Sequence, residues 1–182
     1  IATGARAYYI DRFIPSEVGE ACVEQGVTIL LAVPTMWNLV LRARDLGWIE
    51  HNRLRLCVAG GEALPDGVAA RFEELFGQPL LNGYGMTETG PVISLNLPWA
   101  IRQGSVGKPI PGVEAGIIDD DGRRLPAGAE GEIIVRGPNV TPGYLNHPEF
   151  TRRSFNGDRF LHTGDAGSLD DDGYLYIRGR KK

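Results

Sequence analysis

The residues most able to do chemistry lie in one run, Asn82-Gly83-Tyr84-Gly85-Met86-Thr87-Glu88-Thr89-Gly90-Pro91. Its glycines let the backbone approach a ligand closely and adopt positive φ. Tyr84 offers a flat face for a base, and base–aromatic stacking contributes on the order of 1–3 kcal/mol. Thr87 adds a hydroxyl, and Glu88 adds a hard oxygen of the kind Mg²⁺ takes. The same spacing also describes a polar loop closed by a helix cap, so residue types alone leave both readings open. A second loop, Ala59-Gly60-Gly61-Glu62-Ala63-Leu64-Pro65, permits either a tight turn or passage over a planar ligand. Further on, Asp165 in Leu161-His162-Thr163-Gly164-Asp165 is a carboxylate suited to gripping both hydroxyls of a ribose. Hydrogen bonds to a charged group are worth roughly 1.5–3 kcal/mol each. An arginine after a strand, as at the end of Gly173-Tyr174-Leu175-Tyr176-Ile177-Arg178-Gly179-Arg180, offers a further donor.

The elements that must position these residues fall into two halves. In the first, helices alternate with apolar runs. Ser16 can cap a helix to about Gln25, with Gly26 as its stop, and Pro34 suits the first turn of a helix reaching about Leu46. A third helix is expected over 65–76, with Gly77 at its end. Residues 27–33 and 54–59 read as strands buried on both faces, and Leu80-Leu81 opens another that leads into the Asn82 loop. This alternation predicts an α/β fold, a partial, mostly parallel sheet with flanking helices. Over 113–118, 131–136, 160–163 and 174–178 the runs become short and β-type, broken by Pro, Gly and Asp, with one helix over 148–155. That half predicts a small antiparallel, barrel-like subdomain. The expected division is 1–100 and 101–182. Asp119-Asp120-Asp121-Gly122 and Asp170-Asp171-Asp172-Gly173 invite a calcium reading. An EF-hand loop aligned on Gly122 needs an acid where Ile117 stands, and one aligned on Gly173 needs acids at Ser168 and Gly179. Both are therefore read as hairpin turns.

Composition narrows the classes. The 182 residues carry a formal charge of −4, which gives a nucleic-acid partner no electrostatic support. Cys22 and Cys57 sit in apolar surroundings and read as small buried hydrophobes, and no apolar run is long enough to span a bilayer. A cytoplasmic setting is expected from the lack of a signal peptide.

Together and in this order, these segments resemble the superfamily of acyl-CoA synthetases, non-ribosomal peptide adenylation domains and beetle luciferases. The resemblance covers essentially the whole chain, including Gly131-Glu132-Ile133-Ile134-Val135-Arg136-Gly137-Pro138-Asn139-Val140-Thr141-Pro142-Gly143-Tyr144. It implies that Tyr84 stacks on adenine, that Asn82 meets its exocyclic amine, and that Gly60, Gly61, Glu62 and Ala63 lie against its other side. Gly83, Gly85 and Met86 complete the nucleotide loop. Thr87 contacts the α-phosphate and Glu88 holds Mg²⁺, these two being the implied catalytic residues. Asp165 binds the ribose, with Arg180 and Ile177 beside it, and Lys182 falls where the family has its interdomain hinge.

The implied reaction joins a carboxylic acid and ATP as an acyl-adenylate, from which coenzyme A displaces AMP. It needs no nucleophilic side chain, so His162 and the other histidines are expected to be structural. Met86, where peptide-synthetase domains usually carry Pro, and the segment Arg136–Tyr144, where they usually have a Gly-rich Ala-Arg-Gly-Tyr ending, resemble acyl-CoA synthetases. The apolar Val33-Pro34-Thr35-Met36-Trp37 segment resembles the border of their acyl pocket and suggests a fatty or aromatic acid, although one Trp can equally be core. Loading of a carrier protein in place of coenzyme A, and a catalytically inert nucleotide-binding fragment, are the rival readings. The family's upstream phosphate-clasping loop and C-terminal lysine are not found in this sequence, so it reads as a fragment with little turnover alone. Uncovered sheet edges are expected to favour self-association as a homo-oligomer.

Overall fold

Pro15, Pro34 and Pro148 each open a helix, because a fixed φ and a missing N–H cost nothing in a first turn. The computed structural model describes residues 4–181, so Lys182 and its expected hinge role lie outside the described residues. The chain divides into two compact units, Ile1–Leu80 and Leu81–Lys182. Residues 81–100 group with the second.

The first unit contains α1 (Pro15–Glu24), β1 (Ile29–Ala32), α2 (Pro34–Leu41), β2 (Leu56–Ala59) and α3 (Asp66–Phe76), with a 3-10 turn over Gly47–His51. β1 and β2 pair in parallel from Ile29↔Leu56 to Ala32↔Ala59, as the strand–helix alternation requires. The α1 N-cap is Ile14, so Ser16 is inside the helix and makes no cap. α2 stops at Leu41, short of the expected Leu46. The Arg42 and Ala43 amides turn back to the Leu39 and Val40 carbonyls, and the Asp45 side chain then takes the Gly47 N–H, a local bond that competes with helix. α3 ends as expected, with Gly77 at φ 63°.

Trp37 is fully buried in the core of this unit, donates Nε1–H to the Val58 carbonyl at 3.0 Å, and meets Phe72 edge-on at 5.1 Å. It is therefore a core residue. β1 departs from the expectation of burial on both faces: Ile29 is 47% and Leu31 71% exposed. The apolar run reflects one covered face, with the other open among the described residues.

Cys22 and Cys57 are free and buried, as read from sequence. Burial raises the Cys22 thiol to about 11. Burial, then the neighbouring Cys22, raises Cys57 to about 12. Both thus stay protonated in the folded chain at pH values where an unfolded thiol, with an ordinary value of 9.0, has ionised. The unfolded chain binds fewer protons there, so stability is fully present below pH 9 and falls as pH rises towards 11–12. Each thiol is expected to contribute a slope of up to about 1.4 kcal/mol per pH unit. Urea midpoints between pH 8 and 11, compared with a Cys22→Ala/Cys57→Ala variant of flatter slope, measure it.

The second unit holds two antiparallel sheets. β3 (Leu81–Tyr84), β4 (Ser94–Leu95) and β5 (Lys108–Pro109) form one. β6 (Glu114–Ile118), β7 (Gly131–Arg136), β8 (Leu161–Leu169) and β9 (Leu175–Arg180) form the other in sequential order, with α4 (Pro148–Ser154) between β7 and β8. Among the described residues β6 and β9 do not pair with each other, so the sheet is open where a barrel would close. Ile93, Ile133, Val135, Leu161 and Leu175 form its main core. Ile118, Ile134 and Phe160 pack on the opposite face, where the Arg124 and Arg136 guanidiniums lie 4.3 and 4.4 Å from the Phe160 ring. Both acidic turns are turns: the Gly122 and Gly173 amides close on the Asp119 and Asp170 carbonyls. No described helix is long and apolar enough to cross a membrane.

Candidate nucleotide site

β3 delivers Asn82, Gly83 and Tyr84 in extended backbone, and the chain folds back so that Gly83 pairs with Leu95 and Tyr84 with Ser94. The intervening loop is tightly wound. A Cβ on Gly85 would lie 1.7 Å from the Pro91 carbonyl oxygen, so no other residue fits there without moving backbone. Thr87–Thr89 make one 3-10 turn. The fully buried Thr89 Oγ1 accepts the Met86 N–H at 3.1 Å and lies 2.9 Å from the Met86 carbonyl.

A second segment clasps this loop from outside. Asn139 Nδ2 donates to the Thr89 and Val92 carbonyls, and the Thr141 amide donates to the Glu88 carbonyl at 2.7 Å. The Tyr144 hydroxyl donates to Glu88 Oε1 at 2.8 Å. Burial, then the Glu88 carboxylate, raises the Tyr144 phenol, so it remains a donor. Sequence reasoning quoted this segment as a motif but gave none of its residues a role. The missed signal was the cluster of hydrogen-bonding side chains, Asn139, Thr141 and Tyr144, in a loop otherwise made of Pro, Gly and one Val.

Tyr84 and Asp165, 81 positions apart, are brought together: the phenol donates to Asp165 Oδ2 at 2.6 Å. Burial and then this carboxylate hold the Tyr84 phenol well above its ordinary value, so it stays neutral. Arg180 Nε lies 3.2 Å from Asp165 Oδ1, the two residues being register partners across β8 and β9. A carboxylate has about four lone-pair directions, so each oxygen of Asp165 keeps acceptor capacity beyond these partners. Ile177 packs against the core beneath. Asn82 has a buried Oδ1 with no hydrogen-bond partner, an acceptor whose desolvation is uncompensated in the free chain.

No group of three or more His, Cys, Asp or Glu side chains converges among the described residues. That argues against a metal caged by protein alone. Mg²⁺ bound through one or two carboxylates plus water and substrate phosphate needs much less. Glu88 fits that role, because Tyr144 fixes one of its oxygens and leaves the other without a hydrogen bond among the described residues. Thr87 is exposed at the same turn.

Gly60, Gly61, Glu62 and Ala63 lie in the first unit. Gly61 has φ 84°, and Glu62 Oε2 accepts both the Thr35 N–H and hydroxyl at the start of α2.

The chain matches the family described as AMP-binding enzyme over residues 1–145. It belongs to the AMP-binding enzyme family. A long-chain-fatty-acid–CoA ligase of Escherichia coli O6:H1 is 38% identical over 173 residues, covering 94% of this chain and 30% of that protein. Apo MatB from Rhodopseudomonas palustris superposes with a TM-score of 0.86 at 35% identity, over 96% of this chain and 34% of that one. The anthranilate CoA ligase AuaEII, solved with anthranoyl-AMP, gives 0.82 at 34% identity over 92% and 32%. This member of the family thus spans about a third of the length of the proteins it matches.

Proposed function

We propose that this chain is the nucleoside-holding part of an ATP-dependent acyl-CoA synthetase that activates a fatty or aromatic acid. The observation that carries the proposal is the Tyr84–Asp165–Arg180 cluster. A flat ring, a carboxylate and a guanidinium at one place match the base and sugar of one adenosine. On the resemblance, Asn82 meets the adenine amino group. In the proposed complex Tyr84 stacks on the base, Asp165 accepts the ribose hydroxyls with Arg180 alongside, and Ile177 packs near the sugar. Gly83, Gly85 and Met86 keep the loop close to the nucleotide. Thr87 reaches the α-phosphate, and Glu88 would hold Mg²⁺. When bound, Mg²⁺ neutralises phosphate charge as a Lewis acid. The side chains bind and orient the reactants, and orientation alone accounts for a large part of such a barrier. Gly60, Gly61, Glu62 and Ala63 are proposed as nucleotide-binding residues on the resemblance alone. The hinge at Lys182 is proposed on the same resemblance, and the division at residue 100 on the change from strand–helix alternation to short β-type runs.

The acid and the acceptor come from the relatives' names, a fatty-acid ligase and an anthranilate ligase. At its natural length the protein is expected to form CoA thioesters from fatty or aromatic acids, dependent on ATP and Mg²⁺. Thioester formation with CoA and with a carrier protein, measured side by side by mass spectrometry, tests this. Transfer to the carrier protein alone would contradict the CoA assignment.

A further inference from the structure

β8 reaches Asp165 through an irregularity. Ile134 pairs with His162 and Glu132 with Ala166, so Thr163, Gly164 and Asp165 together face the single residue Ile133. Such a bulge breaks the ladder and re-aims a side chain, and it strands backbone groups that must find other partners. Each of them does. Asp165 N–H goes to Thr163 Oγ1, which itself donates to the Ile133 carbonyl. The Thr163 carbonyl takes Arg180 Nη1, and the Gly164 carbonyl takes the Lys181 amide. Gly164, at φ 72°, gives its N–H to Glu132 Oε1 at 3.3 Å.

Glu132 is the one ionised side chain that accepts from the bulge backbone among the described residues. It is only 11% exposed, with Lys181 Nζ and His162 Nδ1 each 3.4 Å from its carboxylate. Lys181 is itself held by Asp120 at 2.9 Å. A nearly buried carboxylate held by two donors, the Gly164 N–H and Lys181 Nζ, is a fixed object.

We infer that Glu132 is a positioning residue: by holding the Gly164 N–H it fixes the bulge that presents Asp165 to a nucleoside. The inference rests on Asp165 being the ribose-binding carboxylate proposed above. Glu132 touches the bulge and not the nucleotide, so its effect on binding passes through backbone geometry.

The test is AMP titration of the full chain by calorimetry, with the Gly164 amide followed by ¹H–¹⁵N NMR. Glu132→Ala is expected to weaken AMP binding about 10-fold, the factor for one lost hydrogen bond to a charged group. Glu132→Gln keeps an acceptor oxygen and is expected to stay within about 3-fold, with the Gly164 amide proton moving upfield because its acceptor is no longer charged. Asp165→Ala separates the two claims. If it leaves AMP affinity unchanged, the ribose assignment fails. If it abolishes affinity while Glu132→Ala does not change it, the positioning role fails. A Glu132→Gln variant as weak as Glu132→Ala, or with an unmoved Gly164 amide, also overturns it. The glutamine variant and the amide shift decide the matter even if the alanine variant does not fold.

Discussion

Replacing Asp165 by alanine is expected to weaken AMP binding about 100-fold. The proposed contact is two ribose hydroxyls on one carboxylate, each such bond contributing roughly 1.5 kcal/mol or more, and 1.4 kcal/mol is a factor of ten. The substitution also removes the acceptor of the Tyr84 phenol and a charge partner of Arg180. A half-buried hydroxyl without a partner costs stability of its own, about 1–3 kcal/mol. Asp165→Asn separates the two effects. It retains a carbonyl oxygen for Tyr84 but is uncharged, so it should fold normally and lose about 10-fold in AMP affinity. Calorimetric titration with AMP, alongside thermal melts of each variant, distinguishes lost binding from lost folding.

The second large effect is on the fold of the motif loop. Gly85→Ala places a methyl group 1.7 Å from the Pro91 carbonyl oxygen and 2.9 Å from Val92 Cα. These neighbours are backbone, so no rotamer change relieves the contact. The return of the chain to β4 depends on Ile93 N–H meeting the Tyr84 carbonyl at 2.8 Å. Opening the loop to admit the methyl also breaks the bonds that Thr89 and Asn139 make to it. Overpacking of this severity costs about 3 kcal/mol or more. For a unit of this size that is a fall in Tm of more than about 10 °C. Gly157, around which a Cβ would meet nothing within 4 Å, is the control. Gly157→Ala should change stability by no more than about 0.5 kcal/mol.

What the sequence made legible was local. Pro and Gly marked the ends of α3 and the two acidic turns, because their backbone preferences act within a few residues. Residue type in the Asn82–Pro91 run left a ligand loop and a capped polar loop both open, and it was the order of the motifs that assigned the family. The resemblance implied Tyr84 and Asp165 on one nucleoside, but residue pattern alone made none of the long-range pairings legible, and Glu88–Tyr144 and Glu132–Gly164 were not expected at all. Glu88–Tyr144, Tyr84–Asp165 and Glu132–Gly164 join residues 56, 81 and 32 positions apart, and no period or propensity links such partners.

The strand ending at Thr163 in the sequence reading continues to Leu169 in the structure. Gly and Asp are depleted in strands, so Gly164-Asp165 reads as a stop, whereas the bulge absorbs both and the ladder resumes at Ala166. β1 shows the opposite error. An unbroken apolar run implied cover on both faces, yet Leu31 is largely exposed, because hydrophobicity records what a segment can bury and not what lies beside it.

The account stands on one adenosine held by Tyr84 and Asp165 together. A crystal structure of the chain with AMP tests that directly. Adenine is predicted to stack on the Tyr84 ring near Asn82 Oδ1, with both ribose hydroxyls within hydrogen-bonding distance of the Asp165 carboxylate. AMP bound elsewhere, with the Tyr84–Asp165 pair untouched by it, would contradict the account.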